Sequence, residues 1–207
     1  MVGATPDDLA KFARDKTGRL PVPLPGTEDV PESERLWSKM HTIMHTYLAQ
    51  THHTNALAAT YQRFFGEQLE RFPLGEWREA TVMGDVMKQA MAEAAVVSLL
   101  GKNVFDAVPD VLRLFWEADK VLGTVLYGPP RWAFPDVYAK MDAYHEAMGR
   151  VYQDAWAKFD WDGPDKDADW EPIFGSRFFR ELCQWMKRSE FSPRTCAGLT
   201  GVQGIVA

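Results

Sequence analysis

Apolar residues recur every three or four positions along most of the chain, which is the spacing of amphipathic helices. A short helical segment is predicted near Pro6 to Lys16, and the proline-rich run from Leu20 to Pro31 is predicted to loop or extend. A helix is then predicted from Pro31, because proline is favoured in the first turn. Its apolar face comprises Leu36, Met40, Ile43, Met44, Tyr47 and Leu48.

Two further helices are predicted in the first half of the chain. Thr51 or Thr54 is predicted to cap a helix that Pro73 ends. The next is predicted from about Thr81 to Leu100, and Gly101 is a natural stop for it.

The second half of the chain shows the same period. Helices are predicted from near Pro109, from Pro135 to about Phe159, from about Ser176 to Arg188, and from Ser192-Pro193 onward, while Gly128–Trp132 and the acidic segment Asp160–Glu171 are predicted loops. No segment shows the period-two alternation of a strand. The predicted fold is therefore all-α, with roughly seven to eight helices, little or no sheet, and one incomplete helical domain over residues 1–207.

The final predicted helix becomes more apolar toward its end. Val202, Ile205, Val206 and Ala207 follow one another without the glycine turn or basic residues that usually satisfy the last carbonyls of a helix. A frayed terminus is one interpretation. Truncation within a helix is the interpretation that the sequence favours.

Composition narrows the function classes. The chain is 46% hydrophobic and 13% aromatic, and its net charge is −6 with both signs interspersed, so no basic face for nucleic acid is expected. Two cysteines are too few for a disulfide scaffold, which favours a reducing compartment. Neither a signal peptide nor a membrane-spanning segment is predicted, so the chain is expected to be soluble.

Two patterns have the residue types of metal sites. His41 and His45 stand four apart, with His52 and His53 beyond them, but no HExxH arrangement is present, so polar-face histidines are favoured over a zinc site. The run Asp165 to Asp169 resembles the opening of a calcium loop. Trp170 stands where that loop needs glycine and Ser176 where it needs glutamate, so a solvated acidic loop is favoured.

The cysteines offer one further candidate. Arg194 to Gly198 has the R-x-C-x-G pattern of a loop that presents a thiolate to haem iron. That loop also needs phenylalanine and glycine where Ser189 and Ser192 stand, so Cys196 is not expected to be the iron ligand. Cys183 is predicted to be a buried packing residue.

Three stretches of the sequence resemble, in the same order, three elements of one enzyme family: helix C, the loop between helices F and G, and the entry to helix I. The stretches are Glu34–His41, Leu126–Trp132, and Trp170–Arg177 followed by Phe191–Arg194. With them the chain, from roughly Pro31 to its end, resembles the cytochrome P450 family of haem-thiolate monooxygenases, and is similar to fungal members distantly similar to prostacyclin synthase and the sterol hydroxylases.

The resemblance implies a haem cofactor, a small apolar substrate, molecular oxygen, and electrons from a flavin reductase. It implies that Trp37 and His41 flank the haem propionates, where the family commonly has W-x-x-x-R, although histidine lacks the permanent charge of arginine. It also implies that Tyr127, Arg131, Trp132 and Phe134 shape the access channel. The Gly128–Phe134 loop could then touch a membrane, since the family usually resides at the endoplasmic reticulum.

The departures from the family pattern are equally specific. The cysteine loop that ligates iron in the family would lie beyond Ala207. The family's E-x-x-R pair should also lie in a later helix, since Glu32 and Arg35 match that pair by spacing alone. The chain is therefore expected to be a central fragment that is inactive alone and does not hold haem stably. The alternative is a helical interaction protein without a cofactor, whose aromatic faces bind a partner. For Trp132 and Phe134, ordinary packing is the alternative to membrane contact.

Overall fold

The structure, a computed structural model, describes residues 4–18, 20, 22–72, 75 and 82–200. The all-α prediction is confirmed, since within these residues nine α-helices stand beside a single two-stranded hairpin. The elements are α1 (Pro6–Arg14), α2 (Leu36–Ala49), α3 (Thr51–Leu69), a π-helix (Val82–Met91), α4 (Ala92–Leu100), α5 (Asn103–Ala107), α6 (Val111–Leu126), α7 (Pro135–Lys158), β1 (Trp170–Glu171), β2 (Gly175–Ser176), α8 (Arg177–Arg188) and α9 (Pro193–Thr200).

The long helix α7 lies at the centre of the fold. It packs against α6 on one side and α9 on another. Such packing is expected for a helix whose apolar residues are spread over more than one face. Its buried side chains include Met141, Tyr144, Ala147, Met148, Val151, Tyr152 and Ala155. A smaller part of the core joins α3 to α4, and α2 rests on α8.

The β1–β2 hairpin meets the end of α4 at unusually close range. Gly101, with φ +86°, ends α4, and Gly175, with φ +68°, begins β2. A Cβ atom on Gly101 would lie 2.5 Å from the carbonyl oxygen of Pro172. One on Gly175 would lie 2.8 Å from the backbone nitrogen of Leu100. The backbones therefore cross where only glycine fits.

The same hairpin buries an ion pair. Glu171 and Arg180 are only 4% and 2% exposed, and their nearest charged atoms lie 3.8 Å apart. The carboxylate accepts the backbone N–H groups of Ile173 and Phe174 at 2.7 and 2.6 Å. Burial raises the pKa of Glu171 and lowers that of Arg180.

The guanidinium of Arg180 also fastens the preceding acidic loop. It donates to the carbonyl oxygen of Lys166 at 3.1 Å and to that of Ala168. The run Asp165 to Asp169 keeps its acidic side chains exposed, as predicted, whereas Glu171, at the end of the predicted loop, is buried. The β1–β2 hairpin was not predicted, because its strands of two residues are too short to show the period-two alternation of a strand.

Several predicted boundaries differ from the structure. The second helix begins at Leu36 and not at Pro31, since Glu32–Glu34 forms a 3-10 turn and Arg35 has non-helical torsions. The start of α3 is capped by neither threonine, because Gln50 occupies the N-cap and the Thr54 hydroxyl donates to the carbonyl oxygens of Leu48 and Gln50. Hydrogen bonds of threonine to preceding carbonyls compete with capping.

The predicted helix that ends at Leu100 consists of a π-helix followed by α4. The prediction did not separate the two, because hydrophobic periodicity does not distinguish their hydrogen-bond registers over ten residues. Helix α5 was not predicted, since five residues carry too little pattern. The predictions for Pro73, for Thr81 and for the apolar end after Thr200 lie outside the described residues. In the described part of the chain, no helix combines the length and the hydropathy needed to cross a bilayer.

Candidate functional site

One face of α2 carries large side chains that remain accessible. Trp37, His41, Met44 and Leu48 stand at i, i+4, i+7 and i+11, so they share one side of the helix. Trp37 and Met44 are 37% and 36% exposed, and His41 is exposed as well. These four residues are called the α2 stripe below.

The rest of α2 holds the stripe in place. Leu36 and Ile43 are buried in the core, where α2 packs on α8. The helix start is anchored by Arg35, whose buried guanidinium donates to the Asp15 carboxylate and the Thr17 hydroxyl, both at 3.1 Å. The stripe is therefore presented by a helix that is fixed at its start and along its buried side.

The C-terminal half of the stripe lines an apolar cavity of about 280 Å³. Its walls come from α2, α3, α4, α8 and α9, through Met40, Met44, Leu48, Leu57, Leu99, Leu100, Phe178, Phe179, Leu182, Leu199 and Thr200. The Thr200 hydroxyl donates to the carbonyl oxygen of Cys196 at 2.8 Å, so its polar hydrogen is already engaged. An apolar surface of a cofactor or ligand suits such walls.

The α2 stripe offers hydrogen-bond donors and an apolar wall, which is the chemistry that the edge of a haem would need. The indole of Trp37 and the imidazole of His41 can donate hydrogen bonds to carboxylates, and Met44 and Leu48 continue as an apolar wall. Cys183 and Cys196 are both fully buried, and burial raises the pKa of each thiol. Neither cysteine is placed to offer a thiolate.

The four histidines do not assemble a metal site within the described residues. His41 and His45 lie on α2 with ring centroids 6.3 Å apart, and His52 and His53 lie in the first turn of α3. Among the residues that the structure describes, no three His, Cys, Asp or Glu side chains converge as metal ligands would. The favoured interpretation of exposed, polar-face histidines agrees with this arrangement for His41, His45 and His52.

The predicted access residues lie on the loop between α6 and α7. Tyr127 and Trp132 are 93% and 84% exposed, and Phe134 is partly exposed. Arg131 is turned toward α7, where it donates two hydrogen bonds to the Asp142 carboxylate at 2.8 and 3.2 Å. All four predicted residues are therefore accessible, and Arg131, whose side chain is 59% exposed, also attaches the loop to α7.

Sequence reasoning missed a buried histidine next to this loop. His145 is 1% exposed, and neither of its ring nitrogens hydrogen-bonds to a described residue. Burial, together with the positive charge of Arg194, lowers the pKa of His145 to about 4. Its place on the same helical face as Met141 and Met148 was the signal that could have revealed it.

We expect this histidine to make stability fall in mild acid. In the unfolded chain a histidine takes up its proton near pH 6.5, whereas folded His145 stays neutral down to about pH 4. The unfolded state thus binds more protons below pH 6.5, and the free energy of unfolding should drop by about 3 kcal/mol by pH 4. Urea denaturation at pH 7 and at pH 4.5 measures most of this loss.

The matched controls are two histidine-to-leucine variants. His145→Leu should be as stable as the wild type at pH 7 or more stable, and should lose little stability at pH 4.5, because an unpaired buried polar group is removed. His41→Leu, on the exposed stripe, should keep the wild-type loss. An equal loss in the His145→Leu variant would show that another group is responsible.

Comparison with known proteins identifies relatives over most of the chain. The chain is 37% identical over 197 residues to cytochrome P450 monooxygenase calL of Penicillium decumbens, an alignment that covers 95% of the chain and 37% of that protein. It is 27% identical over 146 residues to cytochrome P450 monooxygenase fsoE of Humicola fuscoatra, covering 69% of the chain and 25% of the relative. It is 25% identical over 127 residues to cytochrome P450 monooxygenase efuG of Hormonema carpetanum, covering 60% of the chain and 23% of the relative.

The chain thus spans between about a quarter and somewhat over a third of the length of these relatives. No family model matches the chain, and no solved structure matches it.

Proposed function

This chain is a segment of the cytochrome P450 family, and we propose that the protein to which it belongs uses haem and molecular oxygen to oxidise a small apolar substrate. The alignment over 95% of the chain supports the family's chemistry. The observation that carries the proposal is the α2 stripe, which leads from two hydrogen-bond donors into an apolar cavity bordered by α9.

In this proposal the α2 stripe binds the edge of the haem. The indole N–H of Trp37 and a ring N–H of His41 donate to the propionate carboxylates, while Met44 and Leu48 exclude water from the porphyrin margin. When bound, haem supplies the redox and oxygen chemistry, and the protein supplies binding, orientation and access. Electrons come from a flavin reductase. The chain alone is not an active oxygenase, because neither cysteine of the described structure is accessible as a thiolate.

A haem titration tests the stripe. We expect ferric haem to bind the 207-residue chain weakly, as followed by the change in its visible absorption. The double variant Trp37→Phe/His41→Ala should bind about tenfold more weakly, because two hydrogen bonds to charged groups are lost. His52→Ala removes another exposed histidine, at the start of α3, and should leave the affinity unchanged.

The possible results separate the candidate functions. Equal affinity of the wild type and the double variant would remove Trp37 and His41 from the haem site. No binding of haem by any of the proteins would favour the helical interaction protein without a cofactor.

We further propose that the loop from Gly128 to Phe134 shapes substrate access and touches a membrane surface. This proposal is supported by the exposure of Trp132 in the loop and of Tyr127 directly before it, since aromatic side chains favour the interface between water and lipid. Binding to vesicles of phosphatidylcholine and phosphatidylserine should fall several-fold in Trp132→Glu. Val22→Glu replaces another exposed apolar residue, 69% accessible, and should bind as the wild type does. Equal binding of both variants would refute the contact.

A further inference from the structure

A single carboxylate, that of Asp142 on α7, stands between two guanidinium groups from different parts of the chain. Arg131 of the loop between α6 and α7 donates to both carboxylate oxygens, at 2.8 and 3.2 Å. Arg194 of α9 donates to one of the same oxygens. Although partial burial opposes the effect, these hydrogen bonds and charges hold the pKa of Asp142 below its usual value. The carboxylate is therefore ionised at neutral pH and paired on two sides.

The loop is fastened to α7 at a second point nearby. The Tyr138 hydroxyl donates to the carbonyl oxygen of Pro129 at 2.6 Å, and the Arg131 guanidinium lies 4.5 Å from the centre of the Tyr138 ring. Within the loop, the backbone N–H groups of Ala133 and Phe134 donate to Pro130 and Arg131 at 3.0 and 3.3 Å. Arg131 therefore belongs to a loop that is held both by its own backbone hydrogen bonds and by contacts with α7.

Arg194 connects the same carboxylate to the first turn of α9. The two helices are in close contact here, since a Cβ atom on Gly149 of α7 would lie 3.6 Å from the backbone of Pro193. The other acidic partner of Arg194 is Glu146, at 3.5 Å, whose side chain is 63% exposed, against 27% for Asp142. Because an exposed pair at this distance contributes little, Asp142 is the stronger anchor of Arg194.

We propose that Asp142 is a positioning residue, which fixes the exposed loop from residue 128 to 134 relative to α9 by holding Arg131 and Arg194 together. Without the carboxylate, the guanidinium groups of Arg131 and Arg194 would repel each other, and the loop would lose its attachment to α7 through Arg131 while keeping the Tyr138–Pro129 hydrogen bond. That the loop is held follows from the geometry alone. Its consequence, a coupling between substrate access and the helix that borders the cavity, rests on the proposed function.

Amide hydrogen exchange on the 207-residue chain tests this role without haem or substrate. In Asp142→Asn, exchange at Ala133 and Phe134 should accelerate at least tenfold, and exchange at Cys196, whose N–H donates to Ser192 at 3.0 Å, should also accelerate. Arg131→Gln should accelerate the loop amides alone. The buried centre of α7 around Met148 should exchange as in the wild type.

The matched control is Asp154→Asn, the same substitution on the same helix, at a carboxylate that pairs with Lys158 and Asn103. It should leave Ala133, Phe134 and Cys196 unchanged. Wild-type exchange of the loop in Asp142→Asn would overturn the proposal, and so would a uniform acceleration that includes Met148, because Asp142 would then act on overall stability. Neither result depends on haem, so a failure here is distinguishable from a failure of the proposed function.

Discussion

Among the glycines of the described residues, Gly175 is the one at which alanine is expected to destabilise the fold most. The new Cβ would overlap the backbone nitrogen of Gly101 and lie 2.8 Å from that of Leu100. These are backbone atoms at the end of α4, so no side chain can rotate away. The left-handed torsion, φ +68°, adds strain for any residue with a Cβ.

The expected loss for Gly175→Ala is roughly 4 kcal/mol or more, a large part of the stability of an ordinary domain. Gly128→Ala is the matched control, since its φ is +67° and a Cβ there would meet nothing within 4 Å. It should cost only the torsional strain, about 1 kcal/mol. Urea denaturation of both variants measures the difference. Similar losses would mean that the hairpin and α4 are not in the close contact described.

The second large effect is expected at Arg180, where methionine would leave Glu171 buried without its countercharge. Removing one member of a buried ion pair typically costs about 3–5 kcal/mol. Two further hydrogen bonds, to the carbonyl oxygens of Lys166 and Ala168, would be lost as well. Arg180→Met should therefore lower the free energy of unfolding by about 4 kcal/mol, as measured by urea denaturation.

Two controls identify the cause of that loss. Arg113→Met breaks the surface pair with Asp110, in which the arginine side chain is 63% exposed, and should cost less than about 1 kcal/mol. Glu171→Gln combined with Arg180→Met should recover part of the stability, because Glu171→Gln removes the uncompensated charge. A double variant no more stable than Arg180→Met would show that the lost packing and hydrogen bonds of Arg180, and not the buried charge, dominate.

The parts of the fold that the sequence predicts are those specified by local signals. The apolar spacing from Pro135 onward predicts α7 to within one residue of its end, and Gly101 ends its helix as predicted. The start of α2 is different. There Arg35 adopts non-helical torsions while its side chain bonds to Asp15 and Thr17, and no local pattern reveals partners about twenty residues away.

The candidate site also combines features that local sequence predicts with features that depend on contacts between distant residues. The spacing of Trp37 and His41 places both on one face of α2, and the structure presents that face as accessible. That Arg131 is bound by Asp142 depends on how the loop packs on α7, which the sequence does not state. The pairing of Glu171 with Arg180 was missed because acidic residues between helices are ordinarily solvated.

We propose that the α2 stripe of this cytochrome P450 segment binds the edge of haem. The most direct measurement is paramagnetic broadening of the tryptophan indole N–H signals when ferric haem is added to the isotope-labelled chain. Trp132 is 84% exposed and Trp37 only 37%, so non-specific adsorption should affect Trp132 first. We expect the Trp37 signal to broaden at substoichiometric haem while that of Trp132 stays sharp. Broadening of Trp132 with a sharp Trp37 signal, or equal broadening of all indoles, would contradict the proposal.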